Sequence, residues 1–143
     1  MSVDILITGT GAFAGRILLD LAATSTLPLK VAIAGRNADR LDWLSTAANA
    51  RARMFNAPVQ VESHRIELMM PGASARILEI TQPRVVVQAA SIQTSAVIAQ
   101  SGNRWTQIVA EGGLSVTAVF QALISSRMAA AIAEQGAARS FIN

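Results

Sequence analysis

The chain of 143 residues predicts an α/β fold, a doubly wound parallel sheet of about five strands in order 3-2-1-4-5 with helices on both faces. Three observations carry the prediction. Short apolar runs alternate with longer stretches of helical period, the mark of repeated βα units. A glycine turn sits directly between the first apolar run and the first amphipathic stretch. The segment Val85 to Ala90 is apolar at almost every position, as expected of a strand buried on both faces.

The elements follow in order. Val3 to Ile7 reads as the first strand and Ala12 to about Ala23 as the first helix. Thr24 to Leu29, with Pro28, turns the chain into a second strand, Lys30 to Ala34. Asn37 can cap the second helix, whose apolar positions Leu41, Leu44, Ala48 and Phe55 recur at helical spacing. The third strand is expected at Val59 to Ile66, and Pro71-Gly72 opens a shorter helix ending before Pro83. After the Val85 to Ala90 strand comes a Ser/Gln/Thr-rich segment, then Gly112-Gly113 and a long helix from Ser115 to Gln135 ended by Gly136. Arg139-Ser140-Phe141-Ile142 resembles the start of a fifth strand, so residues 1–143 read as one domain, the amino-terminal part of a longer protein.

Composition narrows the function classes. With 52% hydrophobic and 15% charged residues the chain is globular, not disordered. It has no cysteine and one histidine, which leaves no Cys/His zinc set and no disulfide, and no metal site is expected. The net charge of +3 comes from arginines scattered along the chain without interleaved aromatics, so no nucleic-acid groove is expected. No apolar run approaches the length of a membrane span, and Ala12-Phe13-Ala14 lacks the basic lead and long apolar segment of a signal peptide. The composition therefore suits a cytoplasmic domain.

The chemistry lies in Gly9-Thr10-Gly11-Ala12-Phe13-Ala14-Gly15. In a strand–turn–helix setting, the first glycine permits a sharp turn and the second keeps a Cβ out of the path of a pyrophosphate. The small third residue, here Ala14, lets the helix pack closely on the sheet. The helix N-terminus then offers unpaired N–H groups and partial positive charge to an anion. An ordinary strand-to-helix turn is the competing reading. At the end of the second strand, where an acid would accept hydrogen bonds from ribose hydroxyls, the chain has Gly35-Arg36-Asn37. The planar guanidinium of Arg36 suits a 2′-phosphate, so NADP is favoured over NAD, with Asn37 a neutral donor and Arg40 a second cation one turn later. A solvated arginine is the alternative in each case.

These residues, with Ala34-Gly35-Arg36-Asn37 and Arg40-Leu41, resemble the cofactor domain of saccharopine dehydrogenase-like (saccharopine reductase-like) proteins. The resemblance implies a Rossmann fold and an NAD(P)-dependent oxidoreductase. Val85 to Ser91 is similar to the family's fourth-strand motif, and the likeness implies that Ala89, Ala90 and Ser91 line the cofactor near its ribose and pyrophosphate. The family often reads Gly-x-x-Gly-x-x-Gly, and in that frame Ala12 replaces the middle glycine, making the turn a hybrid of two spacings. Short-chain reductases share Thr8-Gly9, but their proton transfer needs a tyrosine, and this chain has none.

Other residues are read with two roles each. Glu67, taken as the end of the third strand, either approaches the adenine amino group or is an exposed strand-end carboxylate. Phe13 either faces the nicotinamide side or packs the helix start. Ser91, Gln93, Thr94 and Ser95 read as loop polars before substrate contacts, and His64 as structural before a base. Trp43 reads as packing of the second helix, while Trp105 covers the cleft or a partner surface. Met128 to Ala133 is core first and a subunit contact, hence a homo-oligomer, second.

Together these observations describe an NADP(H)-binding domain of an oxidoreductase that moves hydride to or from a small-molecule substrate held by a missing domain. No catalytic residue is identifiable, and the isolated chain is expected to bind cofactor without turnover. A non-catalytic NADP(H)-sensing domain that reports occupancy to a protein partner shares every motif.

Overall fold

The computed structural model describes residues 2–89 and a strand at 106–109. In chain order the elements are β1 (Ile5–Thr8), α1 (Ala12–Thr24), β2 (Leu29–Gly35), α2 (Ala38–Met54), β3 (Val59–Arg65), α3 (Ala73–Thr81), β4 (Val85–Gln88) and β5 (Thr106–Val109). The sheet order is β3-β2-β1-β4-β5, and every pairing is parallel. Strand order therefore reverses between β1 and β4, and the carboxyl ends of those strands open a crevice at the sheet edge.

The two-residue alternation of the central strands divides their side chains between two cores. Ile5, Ile7, Val31, Ile33, Val85 and Val87 face α1 and α2 and meet Ile17, Leu18, Leu21, Leu41, Leu44 and Ala48. On the other face Leu6, Ala32, Ala34 and Val86 meet Ile77 and Leu78 of α3 together with Leu68. The crossovers through α1 and α2 thus lie on one face and that through α3 on the other. All four residues of β4 are buried, three valines followed by the buried polar Gln88, in keeping with a strand covered on both faces.

Local signals set the helix ends. Asn37 caps α2, its Oδ1 accepting from the Arg40 N–H at 3.1 Å. Gln82 adopts a left-handed conformation at the end of α3, and Pro83 follows, so the helix stops at Thr81. Among the described residues no helix is long and apolar enough to cross a membrane.

Several expectations need correction. The strand beside β4 is Thr106–Val109, a short stretch with three β-branched residues that the sequence reading passed over, and it pairs in parallel with Val85–Gln88. The predicted start at Arg139 lies outside the described residues. Phe55 is exposed because α2 ends at Met54, and Ala52 supplies the buried position in its place. Trp43 is also exposed, on the outer face of α2, with the Arg40 guanidinium over its ring at 5.6 Å. The strand β3 closes at Arg65, so Glu67 belongs to the loop toward α3.

Candidate functional site

The turn after β1 begins at Gly9, whose φ of 108° lies in the left-handed region that a side chain disfavours. The Gly9 N–H donates to the Ala34 carbonyl at 2.7 Å, which ties the turn to the end of β2. There Gly35 provides a close approach: a Cβ on it would lie 2.9 Å from Thr10 Cγ2. The single hydrogen of a glycine side chain is thus required twice at this junction, at Gly9 for conformation and at Gly35 for space.

Gly11 is the N-cap of α1, in extended conformation and without a side-chain cap. The helix begins its own bonding only at Gly15, whose N–H donates to the Gly11 carbonyl at 3.0 Å. The preceding first-turn N–H groups have no carbonyl one turn back within the helix to accept them, and the first turn carries no acidic residue. Among the described residues a Cβ on Gly11 would meet no atom within 4 Å, so they leave the space before this helix end open.

The two glycine spacings separate by role. Ala14 is buried in the sheet-facing core, and a Cβ on Gly15 would lie 3.1 Å from Leu44 Cδ2, so both residues set helix packing. Ala12 and Phe13 are exposed at the helix start, with Phe13 52% accessible; Phe13 therefore does not pack the helix start into the core.

A cleft of about 290 Å³ opens over the turn. Gly9, Thr10 and Gly11 of the turn, Gly35 and Arg36 at the end of β2, and Ala89 just after β4 line it. Ile66, Leu68 and Met69 add an apolar wall that sequence reasoning did not single out. Its signal was present in the apolar residues that flank Glu67 just after β3, but only folding brings that loop beside Gly35. The Ile66 N–H donates to the Gly35 carbonyl at 2.8 Å and fixes this juxtaposition.

Arg36 Nη1 lies 3.8 Å from Glu67 Oε2, with side-chain exposures of 83% and 44%. Such an exposed, long ion pair holds the arginine weakly. Both residues line the cleft. Asn37 and Arg40 do not: the first spends its Oδ1 on the helix cap, and the second turns its guanidinium to the Thr10 carbonyl. His64, in β3, lies beside Glu62 with Nε2 to Oε2 at 3.2 Å and is not a lining residue of this cleft. Ala90 and Ser91, with Gln93, Thr94, Ser95, Trp105 and Met128 to Ala133, lie outside the described residues or their described side chains.

No family model and no curated protein matches the chain. Solved structures do. A short-chain type dehydrogenase/reductase from Mycobacterium ulcerans superposes with a TM-score of 0.59 at 14% identity, covering 96% of this chain and 65% of that one. The lactate dehydrogenase from Cryptosporidium parvum gives a TM-score of 0.57 at 13% identity, covering 87% of this chain and 40% of that one. The fold is a Rossmann fold. At these identities the likeness establishes architecture alone, and the chain spans less than two thirds of the length of either structure.

Proposed function

We propose that this Rossmann domain binds NADP(H) as the cofactor domain of a saccharopine dehydrogenase-like oxidoreductase, acting in the cytoplasm on a small substrate held outside the described residues. The observation that carries the reading is the cleft at the strand-order reversal, where a bare, uncapped helix N-terminus and an open Gly11 face meet an arginine at the end of β2. The residues fit a dinucleotide: the turn at Gly9 to Gly11 and the start of α1 at Ala12 and Phe13 would hold the pyrophosphate, while Ala14 and Gly15 keep that helix start against the core. Arg36 would meet the 2′-phosphate, with Asn37 beside it, and Ile66, Leu68 and Met69 would cover the adenine face, Glu67 lying near its amino group. Ala89, Ala90 and Ser91 would form the opposite lip.

When bound, the nicotinamide supplies the hydride chemistry. The chain's own residues bind and orient. Because the Arg36–Glu67 pair is exposed and long, Arg36 can exchange its carboxylate partner for a phosphate dianion at small cost. That both structural neighbours are dehydrogenases supports the oxidoreductase class, and the sequence motifs support the saccharopine dehydrogenase-like assignment.

Calorimetric titration of the 143-residue chain with NADPH and NADH tests the reading. NADPH should bind more tightly, and Arg36→Ala should weaken it by about 1–3 kcal/mol while leaving NADH nearly unchanged. Equal losses for the two cofactors would remove the NADP preference; no binding of either would remove the nucleotide reading itself.

A further inference from the structure

Arg40 lies on the first turn of α2, where the sequence suggests a second cation for a phosphate. Its guanidinium is engaged elsewhere. Nε donates to the Thr10 carbonyl at 3.3 Å and Nη2 to the same oxygen at 3.1 Å, while the guanidinium lies over the Trp43 ring at 5.6 Å. Asn37, by capping the Arg40 N–H, holds the base of that side chain in place. Thr10 itself sits between the two glycines of the turn, and its Cγ2 occupies the space left by Gly35.

We infer that Arg40 is a positioning residue for the glycine turn: by holding the Thr10 carbonyl it fixes the peptide that leads into Gly11 and so the direction of the N–H groups at the start of α1. This inference rests on the dinucleotide reading above. Two donors on one carbonyl hold it more firmly than one, and the stack on Trp43 limits the swing of a side chain that solvent would otherwise leave mobile. A carbonyl turned toward Arg40 is also a carbonyl turned away from the phosphate path, where its partial negative charge would repel the ligand. Arg40 therefore serves the part of the ligand shared by NADPH and NADH, whereas Arg36 serves the part that differs.

The division of labour gives a test that separates donation from charge. In Arg40→Gln the side-chain amide nitrogen stands where Nε stands in arginine, the same number of bonds from the backbone, so it retains one donor toward Thr10 and loses the positive charge. Arg40→Ala loses both. Calorimetry with NADPH and NADH on the full chain, with a thermal melt of each variant, should show Arg40→Ala weakening both cofactors by a similar factor of about tenfold, the worth of one charged hydrogen bond. Arg40→Gln should recover most of both affinities, and the NADPH/NADH ratio should stay at the wild-type value in each variant.

Selective loss of NADPH in either variant would make Arg40 a phosphate cation and overturn the inference. So would unchanged binding in Arg40→Ala, or a Gln variant no better than Ala. Should Arg40→Ala fail to fold, Arg40→Gln decides alone: both affinities kept without the charge support positioning, and loss of NADPH refutes it. A wild-type chain that binds neither cofactor overturns the dinucleotide reading, and this inference with it, which is a distinct outcome from a wild type that binds and variants that do not respond as stated.

Discussion

Replacing Gly11 by valine separates the architectural from the ligand-binding role of the turn. The residue has φ −78° and ψ −169°, extended backbone open to any side chain, and a Cβ there meets nothing within 4 Å among the described residues. The fold should therefore tolerate the change. A poor N-cap residue in place of glycine costs about 1 kcal/mol, and the smaller conformational freedom of the unfolded chain returns about 0.4–1 kcal/mol. The net effect on the melting temperature is then about 3 °C or less for a domain of this size. Binding should respond differently, because the new side chain stands in front of N–H groups that a pyrophosphate must approach to hydrogen-bond distance. Losing two charge-assisted hydrogen bonds at about 1.5–3 kcal/mol each weakens both NADPH and NADH by at least about 100-fold. A melt of the free protein and calorimetry with each cofactor measure the two effects separately. Valine at Gly11 with wild-type affinity would show that nothing sits against this turn and would refute the reasoning; a large loss of stability without ligand would show that the position is structural.

Gly35→Ala should destabilise the free protein by about 1–3 kcal/mol, since its Cβ would lie 2.9 Å from Thr10 Cγ2, and Thr10→Ser, which removes that methyl, should recover most of the loss in a denaturant-melt double-mutant cycle. Asn37→Ala removes the cap on α2 and should cost about 1 kcal/mol, read as a lower urea midpoint with unchanged slope. Leu44→Ala, at a position 1% exposed between α1 and the sheet, should cost about 2–5 kcal/mol by the same measurement, and less in combination with Gly15→Ala, whose added methyl points at the vacated Leu44 Cδ2 position.

The sequence alone determined the architecture. Apolar runs at Ile5–Thr8, Leu29–Gly35 and Val85–Gln88 are buried because alternate residues face two different helix layers, so their hydrophobicity had to be nearly continuous and was visible as such. Asn37 and Pro83 marked helix ends through local chemistry that needs no tertiary partner. The glycine turn was legible for the same reason: a left-handed φ at Gly9 and a helix start after Gly11 are properties of the local chain.

Tertiary structure decided the rest, because contacts between distant segments are set by sheet register and leave no periodic trace. Thr106–Val109 carries β-branched residues suited to a strand, but only its pairing with β4 settled that this stretch is the sheet's next strand. The apolar wall of Ile66, Leu68 and Met69 became part of the cleft only when β3 paired with β2 and brought its following loop past Gly35. The arginines show the distinction most directly. Their charge and helical spacing were written in the chain, but whether each faced solvent, a carboxylate or a carbonyl depended on what the fold placed within reach: Glu67 for Arg36, and the Thr10 carbonyl for Arg40.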